Sequence, residues 1–445
     1  MNYDHIGQMI TVKIAEYGDN TALRYKIGDG WASLTYKEFG EKITNLACAM
    51  IQSGVKKGDS VGIYSANRYE WAVSDLACIL VGAISVPIYA TNTLDQAKYI
   101  IQDAGIKLIY AGNLEQYTNL ASIHKDGHTL KVVSYDPAIE IDTKFATYFR
   151  DYLNVQDREK LIQEMNLRSG KINSDDVTTI IYTSGTTGHP KGVMLSHGNL
   201  FHQFECVDAN FNVSHKDVSL CFLPLSHVYE RMWSYYVYLK GAVQTYLEDP
   251  KQVIETLQEV KPTAMVSVPR LYEKIYAAVM NSQENASSIK RFLFTKAIAT
   301  GTAYNNLFFR KQEVPIGLAL KYKVLDKLVL SKVRAVVGGD KNFFSAGGAP
   351  LDKSIEEFFL ACGLLICQGY GLTETSPMIS YNTPENFKFG TVGKLVPNCE
   401  VRIAENGEIQ AKGPQIMKGY FNNPEATAES IVDGWFKTGD VGEFD

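Results

Sequence analysis

The sequence predicts an α/β fold with two stacked α/β subdomains, whose sheets are mostly parallel, followed by a small antiparallel β-barrel. Two observations lead to this prediction. Apolar β-branched runs alternate with amphipathic helical segments through most of the 445 residues, which is the pattern of parallel strands joined by helices. From about residue 378 the alternation stops, and short strands joined by tight turns follow, which is typical of antiparallel sheets.

The first subdomain is expected at residues 1–172. Gly28-Asp29-Gly30 separates two β-type runs, which predicts a hairpin. Thr35 and Glu38 have the spacing of a capping box, so a helix should begin there and end at Gly54. The other expected strands are Ser60–Ser65, Ile84–Ile88 and Lys107–Tyr110. The other expected helices are Tyr69–Val81 and one capped by Thr93–Gln96 that runs through Ala104.

The second subdomain is expected at residues 173–377 and includes a helical, basic insert at 286–344. Its predicted strands are Val177–Tyr182, Val218–Leu223, Thr263–Val268 and Leu364–Cys367. Its predicted helices are one entered at Ser196–Leu200 and Met232–Leu239. The β-barrel is expected at residues 378–445. There Asn406-Gly407 separates two short β-type runs and is the strongest two-residue hairpin signal in the chain.

Bulk composition argues against several classes of protein. A formal net charge of −5 gives no overall electrostatic case for binding nucleic acid. Seven cysteines without a Cys-x-x-Cys pair argue against a disulfide framework or structural zinc, and for a reducing compartment. The uncharged stretch Leu76–Leu94 is interrupted by Gly82 and Pro87, which favours buried core over a membrane span. No signal peptide begins the chain, so a cytoplasmic protein is expected.

The insert at 286–344 differs in charge from the rest of the chain. It holds eleven Lys and Arg against three Asp and Glu, a local charge of +8. One interpretation is a solvated helical face. The other is contact with an anionic membrane surface, at the inner face of a membrane, or with the phosphates of coenzyme A. Aromatic residues that could help such a contact are Phe292, Phe294, Phe308 and Phe309.

A loop rich in Ser, Thr and Gly follows the predicted strand Val177–Tyr182. Its glycines let the backbone approach a ligand closely, its hydroxyls and backbone N–H groups donate hydrogen bonds, and one lysine supplies positive charge, which together suit a polyphosphate. An ordinary turn between two elements is the alternative. The candidate phosphate ligands are Thr183, Ser184, Gly185, Thr186, Thr187, Gly188 and Lys191.

A second motif, Gln368–Thr375, combines an aromatic ring, glycines, a hydroxyl and a carboxylate. Tyr370 could stack on a purine, Thr373 could reach a phosphate oxygen, and Glu374 could hold Mg²⁺. Each residue taken alone has another interpretation: a core tyrosine, a helix cap and a surface carboxylate.

Tyr182–Val193 and Gln368–Thr375 together resemble the phosphate and adenine motifs of the adenylate-forming superfamily, which includes acyl-CoA synthetases, peptide-synthetase adenylation domains and luciferases. Leu223–Arg231 and the basic insert are most similar to long-chain fatty acyl-CoA synthetases. This resemblance implies the N-terminal domain of the acyl-CoA synthetase fold. It also implies a C-terminal lid domain, which is expected to be absent from this chain and to leave it impaired in making acyl-CoA.

The resemblance also implies roles for individual residues. Lys191, His227, Thr373 and Glu374 would be catalytic, and Thr183 and Glu374 would hold Mg²⁺. His227 would position the acyl carboxylate, with Val228 and Arg231 in the acyl pocket. The further nucleotide-binding residues would be Gly347, Gly348, Ala349, Gln368, Gly369, Tyr370, Gly371 and Asp440, of which Asp440 would bind the ribose.

The implied activity is ATP-dependent activation of a carboxylic acid, expected to be a long-chain fatty acid, with ATP, Mg²⁺ and coenzyme A. An acyl-adenylate would form first and a thioester second, with release of pyrophosphate and AMP. The alternatives are a non-catalytic nucleotide-binding module, a simple ATPase, and an adenylating enzyme for a short-chain or aryl acid. No nucleic-acid partner is expected, and a homodimer is left open.

Overall fold

The computed structural model describes residues 2–183 and 189–445, which form several α/β layers. The β-strands, numbered in chain order, are Thr21–Ile27 (β1), Gly30–Thr35 (β2), Ser60–Tyr64 (β3), Ile84–Ile88 (β4), Leu108–Ala111 (β5), Lys131–Ser134 (β6), Ala146–Tyr148 (β7), Val177–Thr183 (β8), Lys191–Ser196 (β9), Val218–Cys221 (β10), Val243–Tyr246 (β11), Ala264–Ser267 (β12), Phe343–Ala346 (β13), Ile366–Gly371 (β14), Met378–Tyr381 (β15), Lys394–Leu395 (β16), Glu400–Ile403 (β17), Glu408–Lys412 (β18), Gly419–Tyr420 (β19), Ile431–Val432 (β20) and Trp435–Val441 (β21).

Helices connect most of these strands. The α-helices are Ile6–Tyr17 (α1), Tyr36–Gln52 (α2), Tyr69–Leu80 (α3), Leu94–Asp103 (α4), Leu114–Lys125 (α5), Phe149–Tyr152 (α6), Arg158–Ser169 (α7), His197–Asp208 (α8), Val228–Leu239 (α9), Val253–Val260 (α10), Pro269–Glu284 (α11), Ser288–Phe309 (α12), Ile316–Leu325 (α13), Ser331–Val336 (α14), Lys353–Ala361 (α15) and Pro424–Ser430 (α16). Short 3₁₀ turns lie at Pro250–Gln252 and Thr373–Thr375, and a π-helical turn at Asp326–Leu330 joins α13 to α14.

Three sheets have parallel strands at their centres. The eight-stranded sheet has the order β19-β9-β8-β4-β3-β5-β6-β7, and it is parallel from β8 to β7. A five-stranded sheet has the order β12-β13-β14-β15-β16, with β12, β13 and β14 parallel. A four-stranded sheet has the order β10-β11-β1-β2, with β10, β11 and β1 parallel. The predicted α/β class with mostly parallel sheets is therefore confirmed.

The predicted β-barrel is wrong, because the strands at the C-terminal end form an open sheet. Its order is β17-β18-β21-β20, all antiparallel, and β17 and β20 are its two edges. Four short strands are too few to curl back and pair those edges. The hairpin predicted around Asn406-Gly407 is confirmed, since β17 and β18 pair from Glu400↔Lys412 to Ile403↔Ile409.

The expected subdomain boundaries at residues 172 and 377 remain a prediction. Three sheets combine strands from both sides of at least one of these positions. The eight-stranded sheet combines β3 to β7 with β8 and β9, which follow residue 172 in the sequence. The four-stranded sheet β10-β11-β1-β2 pairs β1 with β11, which follows residue 172 in the sequence, in the register Leu23↔Gln244. The five-stranded sheet continues past residue 377 into β15 and β16.

The insert at 286–344 is helical, as predicted, except at its end, where Phe343 and Phe344 already belong to the buried strand β13. Leu76–Leu94 is divided among α3, β4 and the start of α4, which confirms the core interpretation. Within the described ranges, no helix combines the length and apolar character needed to cross a membrane.

Candidate active site

A cavity of about 360 Å³ brings Thr183 of the first motif together with residues Gly369–Glu374 of the second. Lys191 does not line it. The polar end of the cavity is lined by Thr183, Gly347, Gly348, Gly369, Tyr370, Gly371, Thr373 and Glu374. Its apolar end is lined by Val207, Phe211, Met232, Trp233, Val266, Phe343, Cys367 and Tyr381, and Pro377 and Met378 also line the cavity, beside Gly371. Polar and apolar ends in one cavity suit a ligand with a charged head and a hydrocarbon tail.

Parallel strand pairing brings the second motif to the cavity. β13 and β14 are parallel neighbours in the register Phe344↔Ile366, so their carboxyl ends open at the same edge of the sheet. Gly347 and Gly348 follow β13 directly, and Tyr370 lies near the end of β14.

At this edge Gly371 leaves no room for a side chain, and Gly347 leaves little. A Cβ on Gly371 would lie 1.7 Å from the carbonyl oxygen of Pro377, and one on Gly347 would lie 3.2 Å from the ring of Tyr229. The Tyr229 ring in turn lines the cavity, and its hydroxyl hydrogen-bonds the hydroxyl of Ser345. The edge of the cavity is therefore formed by backbone and by this ring.

Two antiparallel strands flank the phosphate motif. β8 and β9 are antiparallel, and Thr183 pairs with Lys191 at the open end of the ladder. The loop thus connects two strands, and the predicted helix at Ser196–Leu200 begins only after β9, as α8. Ser184, Gly185, Thr186, Thr187 and Gly188 lie outside the described residues, so their predicted phosphate contacts remain a prediction.

Tyr420 links the two motifs, and neither motif in the sequence points to it. Its hydroxyl donates a hydrogen bond to Glu374 Oε1 at 2.9 Å, and Lys191 Nζ lies 5.0 Å from the centre of its ring. β19, which carries Tyr420, pairs antiparallel with β9 through Tyr420↔Val193. No motif in the neighbouring residues indicates a role for Tyr420, because its position depends on pairing between strands more than 220 residues apart in the sequence.

Mg²⁺ would fit the polar end of the cavity. Within the described residues, no three His, Cys, Asp or Glu side chains form a metal cluster of their own. The Glu374 carboxylate and the Thr183 hydroxyl nevertheless line the same cavity, and both are oxygen ligands of the kind Mg²⁺ prefers. One carboxylate with few other protein ligands suits an ion that arrives bound to a nucleotide triphosphate.

Asp440 lies beside the predicted purine site. Its Oδ2 accepts a hydrogen bond from the hydroxyl of Tyr370 at 2.7 Å, although 70 residues separate the two in sequence. Burial raises the pKa of Tyr370, and the neighbouring Asp440 raises it further, so the phenol stays protonated and donates. Asp440 retains a second carboxylate oxygen that can accept a hydrogen bond from a ribose hydroxyl.

His227 lies between the polar and apolar ends, as the residue before α9. Its Nδ1 accepts a hydrogen bond from the backbone N–H of Tyr229 at 3.2 Å. Burial lowers the pKa of His227, so the imidazole is neutral at pH 7 and carries its proton on Nε2. That N–H can donate to a carboxylate, whereas a neutral imidazole held in this way is a poor base.

The structure places Arg231 and Val228 outside the cavity lining. Arg231 is 2% exposed and forms a buried ion pair with Asp75 on α3. It also donates to Thr179 Oγ1 at 2.6 Å and to the Tyr235 hydroxyl at 2.8 Å. Val228 packs in a hydrophobic cluster with Ile181 and other side chains. Arg231 is therefore a connection between elements, which corrects its expected position in the acyl pocket.

Gln368 and Ala349 also lie off the cavity lining. Gln368 is buried, and its Oε1 accepts a hydrogen bond from the backbone N–H of Leu351 at 2.5 Å. Its Nε2 lies 3.4 Å from the carbonyl oxygen of Thr391. The side chain therefore holds two loops together, and Ala349 lies on the exposed surface after β13.

The sequence and fold match those of known proteins. The model of the family described as AMP-binding enzyme matches residues 10–421. The long-chain-fatty-acid–CoA ligase FadD15 of Mycobacterium bovis is 35% identical over 447 residues, covering 100% of this chain and 73% of the relative. Long chain acyl-CoA synthetase 6 of Arabidopsis thaliana, a peroxisomal protein, is 32% identical, covering 99% of this chain and 62% of the relative.

Solved structures share the fold. The inhibitor-bound N-terminal domain of FACL13 from Mycobacterium tuberculosis superimposes with a TM-score of 0.71 at 21% identity, covering 100% of this chain and 97% of that one. ATP-bound MatB from Rhodopseudomonas palustris also gives a TM-score of 0.71 at 21% identity, covering 100% of this chain and 77% of that one. At these identities the likeness concerns the fold alone.

Proposed function

The chain belongs to the family of AMP-binding enzymes, and on that premise we propose that it joins a long-chain fatty acid to coenzyme A at the expense of ATP. In the first step, a carboxylate oxygen attacks the α-phosphorus of ATP and pyrophosphate leaves, which gives an acyl-adenylate. In the second step, the thiol of coenzyme A loses its proton and attacks the acyl carbon, and AMP leaves. One observation carries the proposal: a single cavity joins the nucleotide motif to an aromatic, apolar end.

The polar end suits the nucleotide. Tyr370 offers its ring to a purine beside the backbone of Gly347 and Gly348, and Asp440 offers a carboxylate oxygen to the ribose. Thr183 and Lys191 stand at the two ends of the phosphate loop. Glu374 and Thr183 would hold Mg²⁺, which supplies positive charge to the phosphates when bound.

The apolar end suits an alkyl chain, with His227 at the boundary. Its Nε2–H would bind one carboxylate oxygen of the fatty acid, while the chain extends among the side chains of α9, β13 and β15. A carboxylate held in this way keeps its other oxygen free to attack phosphorus. No protein nucleophile is needed, because alignment of the two substrates and neutralisation of charge lower the barrier.

Other features of the proposed function rest on the sequence. The cysteine content supports a cytoplasmic location, since six of the seven cysteines are buried free thiols and the seventh, Cys399, is partly exposed. A homodimer remains a prediction that no observation of the chain tests. Contact between the basic insert and a membrane is a proposal that the exposed side chains of the insert support.

Exchange of labelled pyrophosphate into ATP tests the proposed first step. We expect exchange only when a carboxylic acid is present, and most strongly with long-chain acids. A simple ATPase would instead release phosphate without any acid. A nucleotide-binding module would bind ATP without exchange in the presence of any acid. Binding of a non-hydrolysable acyl-sulfamoyl adenosine, which mimics the adenylate, gives a second readout that depends only on the cavity.

Two variants separate the ends of the cavity in this experiment. Lys191→Ala removes the charge at the phosphate loop, so exchange should fall for every acid by a similar factor. Met232→Ala enlarges the apolar end, so it should change the preferred chain length and leave affinity for ATP unchanged. If both variants changed exchange with all acids alike, the assignment of the two ends would be wrong.

A further inference from the structure

Helices α12 and α13 and the π-helical turn after them expose an unusual number of large apolar side chains. Seven of the sixteen most exposed large apolar residues in the described ranges fall between residues 289 and 328. Each of the seven is between 51% and 80% exposed: Ile289, Phe292, Phe308, Ile316, Leu320, Val324 and Leu328. We call this set the apolar face. Exposure of this kind marks a surface that contacts something apolar.

The apolar face on α13 follows from how that helix packs. Tyr322 stacks on Tyr304 of α12, with ring centres 3.9 Å apart, and Leu325 is buried in the core. Ile316, Leu320 and Val324 recur every four residues, so they form one stripe along a different side of the helix. The helix thus has a packed side and an apolar side that the described chain leaves uncovered.

Unpaired positive charges accompany the apolar face. Residues 289–332 contain nine Lys and Arg but only two Asp and Glu, in a chain of net charge −5. Arg334 and Lys311 are neutralised by Asp326 and Glu385, respectively. Lys296 and Arg310 each lie over an aromatic ring. Six exposed cations have neither an ion-pair partner nor a ring contact in the described part of the chain: Lys290, Arg291, Lys321, Lys323, Lys327 and Lys332.

We propose that the apolar face and its six unpaired cations dock the enzyme on an anionic lipid surface. Amphipathic helices lie on membranes in this way: their apolar side chains enter the interface, and their lysines contact the lipid phosphates. A second copy of this chain fits less well, because self-association would bring two strongly positive faces together. Resting on the proposed function, docking would also bring the enzyme to the membrane into which long-chain fatty acids partition.

Phe294 and Phe309 pack against other parts of the chain, whereas the sequence suggested both as aromatic residues that could help a membrane contact. Phe294 is 9% exposed and lies in the core, and Phe309 packs partly against another hydrophobic cluster. The membrane-facing aromatic residues are therefore Phe292 and Phe308. Lys296 lies over the ring of Phe292 at 5.5 Å, which places a cation and an apolar ring together on the surface.

Sedimentation with vesicles tests the docking. The purified chain should bind vesicles of equal parts phosphatidylcholine and phosphatidylglycerol, should not bind pure phosphatidylcholine, and should release as salt concentration rises. The triple variant Lys321→Glu/Lys323→Glu/Lys327→Glu should lose binding by roughly tenfold or more. The matched variant Lys107→Glu/Lys144→Glu/Lys160→Glu changes net charge equally at exposed positions elsewhere and should bind like the unaltered chain.

A second pair of variants tests the apolar contribution. Leu320 is 62% exposed and Leu167, on α7, is 63% exposed. Leu320→Ser should weaken vesicle binding severalfold, and Leu167→Ser should not. Equal binding of the two variants, or binding that does not require anionic lipid, would overturn the proposal. So would a dimer of the unaltered chain that Leu320→Ser converts to monomer, because the apolar face would then be a dimer interface.

Affinity for the acyl-sulfamoyl adenosine without vesicles separates this proposal from the proposed function. The docking variants should bind that compound as tightly as the unaltered chain, because none of the altered residues lines the cavity. Loss of vesicle binding in the control variants with intact affinity for the compound would defeat docking alone. Failure of the unaltered chain to bind the compound would defeat the proposed function alone.

Discussion

Tyr420 joins the two side chains that are expected to meet the phosphates of ATP. Its hydroxyl donates to the Glu374 carboxylate, while its ring lies against the ammonium group of Lys191. One hydrogen bond fixes the orientation of the carboxylate, and one cation–π contact holds the ammonium group of the lysine beside the Tyr420 ring. We therefore assign Tyr420 as a positioning residue for both groups.

Tyr420→Phe separates these two contacts, because it removes the hydroxyl and keeps the ring. We expect the affinity for ATP to fall about threefold to tenfold when Mg²⁺ is present, the usual worth of one hydrogen bond. Affinity without Mg²⁺ should stay the same, since Glu374 then has no metal to orient. Calorimetric titration of ATP at several Mg²⁺ concentrations measures both quantities.

The control for this variant lies at the opposite edge of the same sheet. The Tyr148 hydroxyl on β7 also makes one hydrogen bond, of 2.8 Å, to the carbonyl oxygen of Ile139. Tyr148→Phe should therefore leave ATP binding unchanged at every Mg²⁺ concentration. A loss of affinity in Tyr420→Phe that is independent of Mg²⁺ would contradict the positioning role.

Glu230 is expected to make the free energy of unfolding depend on pH. It is completely buried on α9, and burial raises its pKa well above the ordinary 4.5. The folded chain therefore keeps this carboxyl neutral, while the unfolded chain ionises it above pH 4.5. Because the folded state then binds more protons, this group lowers the free energy of unfolding as pH rises, by about 1.4 kcal/mol per pH unit until the folded pKa is reached.

Glu230→Gln should remove that dependence, because an amide resembles the neutral acid and does not ionise in the unfolded chain. Relative to the unaltered chain, the variant should gain stability between pH 5 and pH 8, as urea denaturation measures it. The exposed Glu159→Gln on α7 serves as the control and should show no such gain. A constant difference between Glu230→Gln and the unaltered chain across this pH range would show that burial does not keep Glu230 neutral.

At the scale of elements, local signals predicted strands and helices well. The capping boxes at Thr35–Glu38 and Thr93–Gln96 are both present, with the reciprocal hydrogen bonds that define them. The strand Ile84–Ile88 has the predicted bounds. Such features depend on residues within one or two turns of each other, so sequence spacing is enough to identify them.

Contacts between distant elements were not predictable in the same way. No sequence pattern predicts the pairing of β1 with β11, or that of β19 with β9. Arg231 was expected in the acyl pocket because it ends the Leu223–Arg231 motif, but its partner, Asp75, lies 156 positions earlier on another helix. Nothing within a few residues of Arg231 marks that ion pair, whereas the nucleotide motif at Gln368–Thr375 occupies consecutive positions and was recognisable.

The aromatic residues at the apolar end of the cavity are expected to limit the acyl chain. Phe211, just after α8, packs against Phe343 of β13 with ring centres 4.4 Å apart, and both rings line the cavity. Phe211→Ala should shift binding of acyl-sulfamoyl adenosines towards longer chains, at a cost of about 3–5 kcal/mol in stability.

Phe201→Ala separates the lost stability from the change in cavity length. Phe201 and Phe211 are both 7% exposed, but Phe201 is absent from the cavity lining. The control should lose stability and keep its chain-length profile, as titration with a series of acyl-sulfamoyl adenosines measures it. Identical profiles in the two variants would show that Phe211 does not set the chain length.

At the scale of the whole molecule, the Asp75–Arg231 ion pair connects α3 to α9. The hydrogen bond that Arg231 donates to Thr179 extends this connection to β8. Asp75→Asn would leave a buried guanidinium charge without its counter-ion. We expect a loss of about 3–5 kcal/mol in the free energy of unfolding, measured by urea denaturation. Glu164→Gln breaks the more exposed pair with Arg168 and should change stability far less. Comparable losses in both variants would contradict the role of the buried pair.

The hydrogen bond from Tyr370 to Asp440 has a consequence for the C-terminal sheet. Asp440 lies on β21, which pairs with β18 through Gln410↔Lys437 and Ala411↔Phe436. A nucleotide that contacts both Tyr370 and Asp440 would restrain β21 and, through that ladder, β18. Amide hydrogens of Glu408–Lys412 should therefore exchange with deuterium more slowly when ATP is bound, although no residue of that strand lines the cavity. Asp440→Ala should abolish this slowing, so the outermost sheet would report whether the ribose is held.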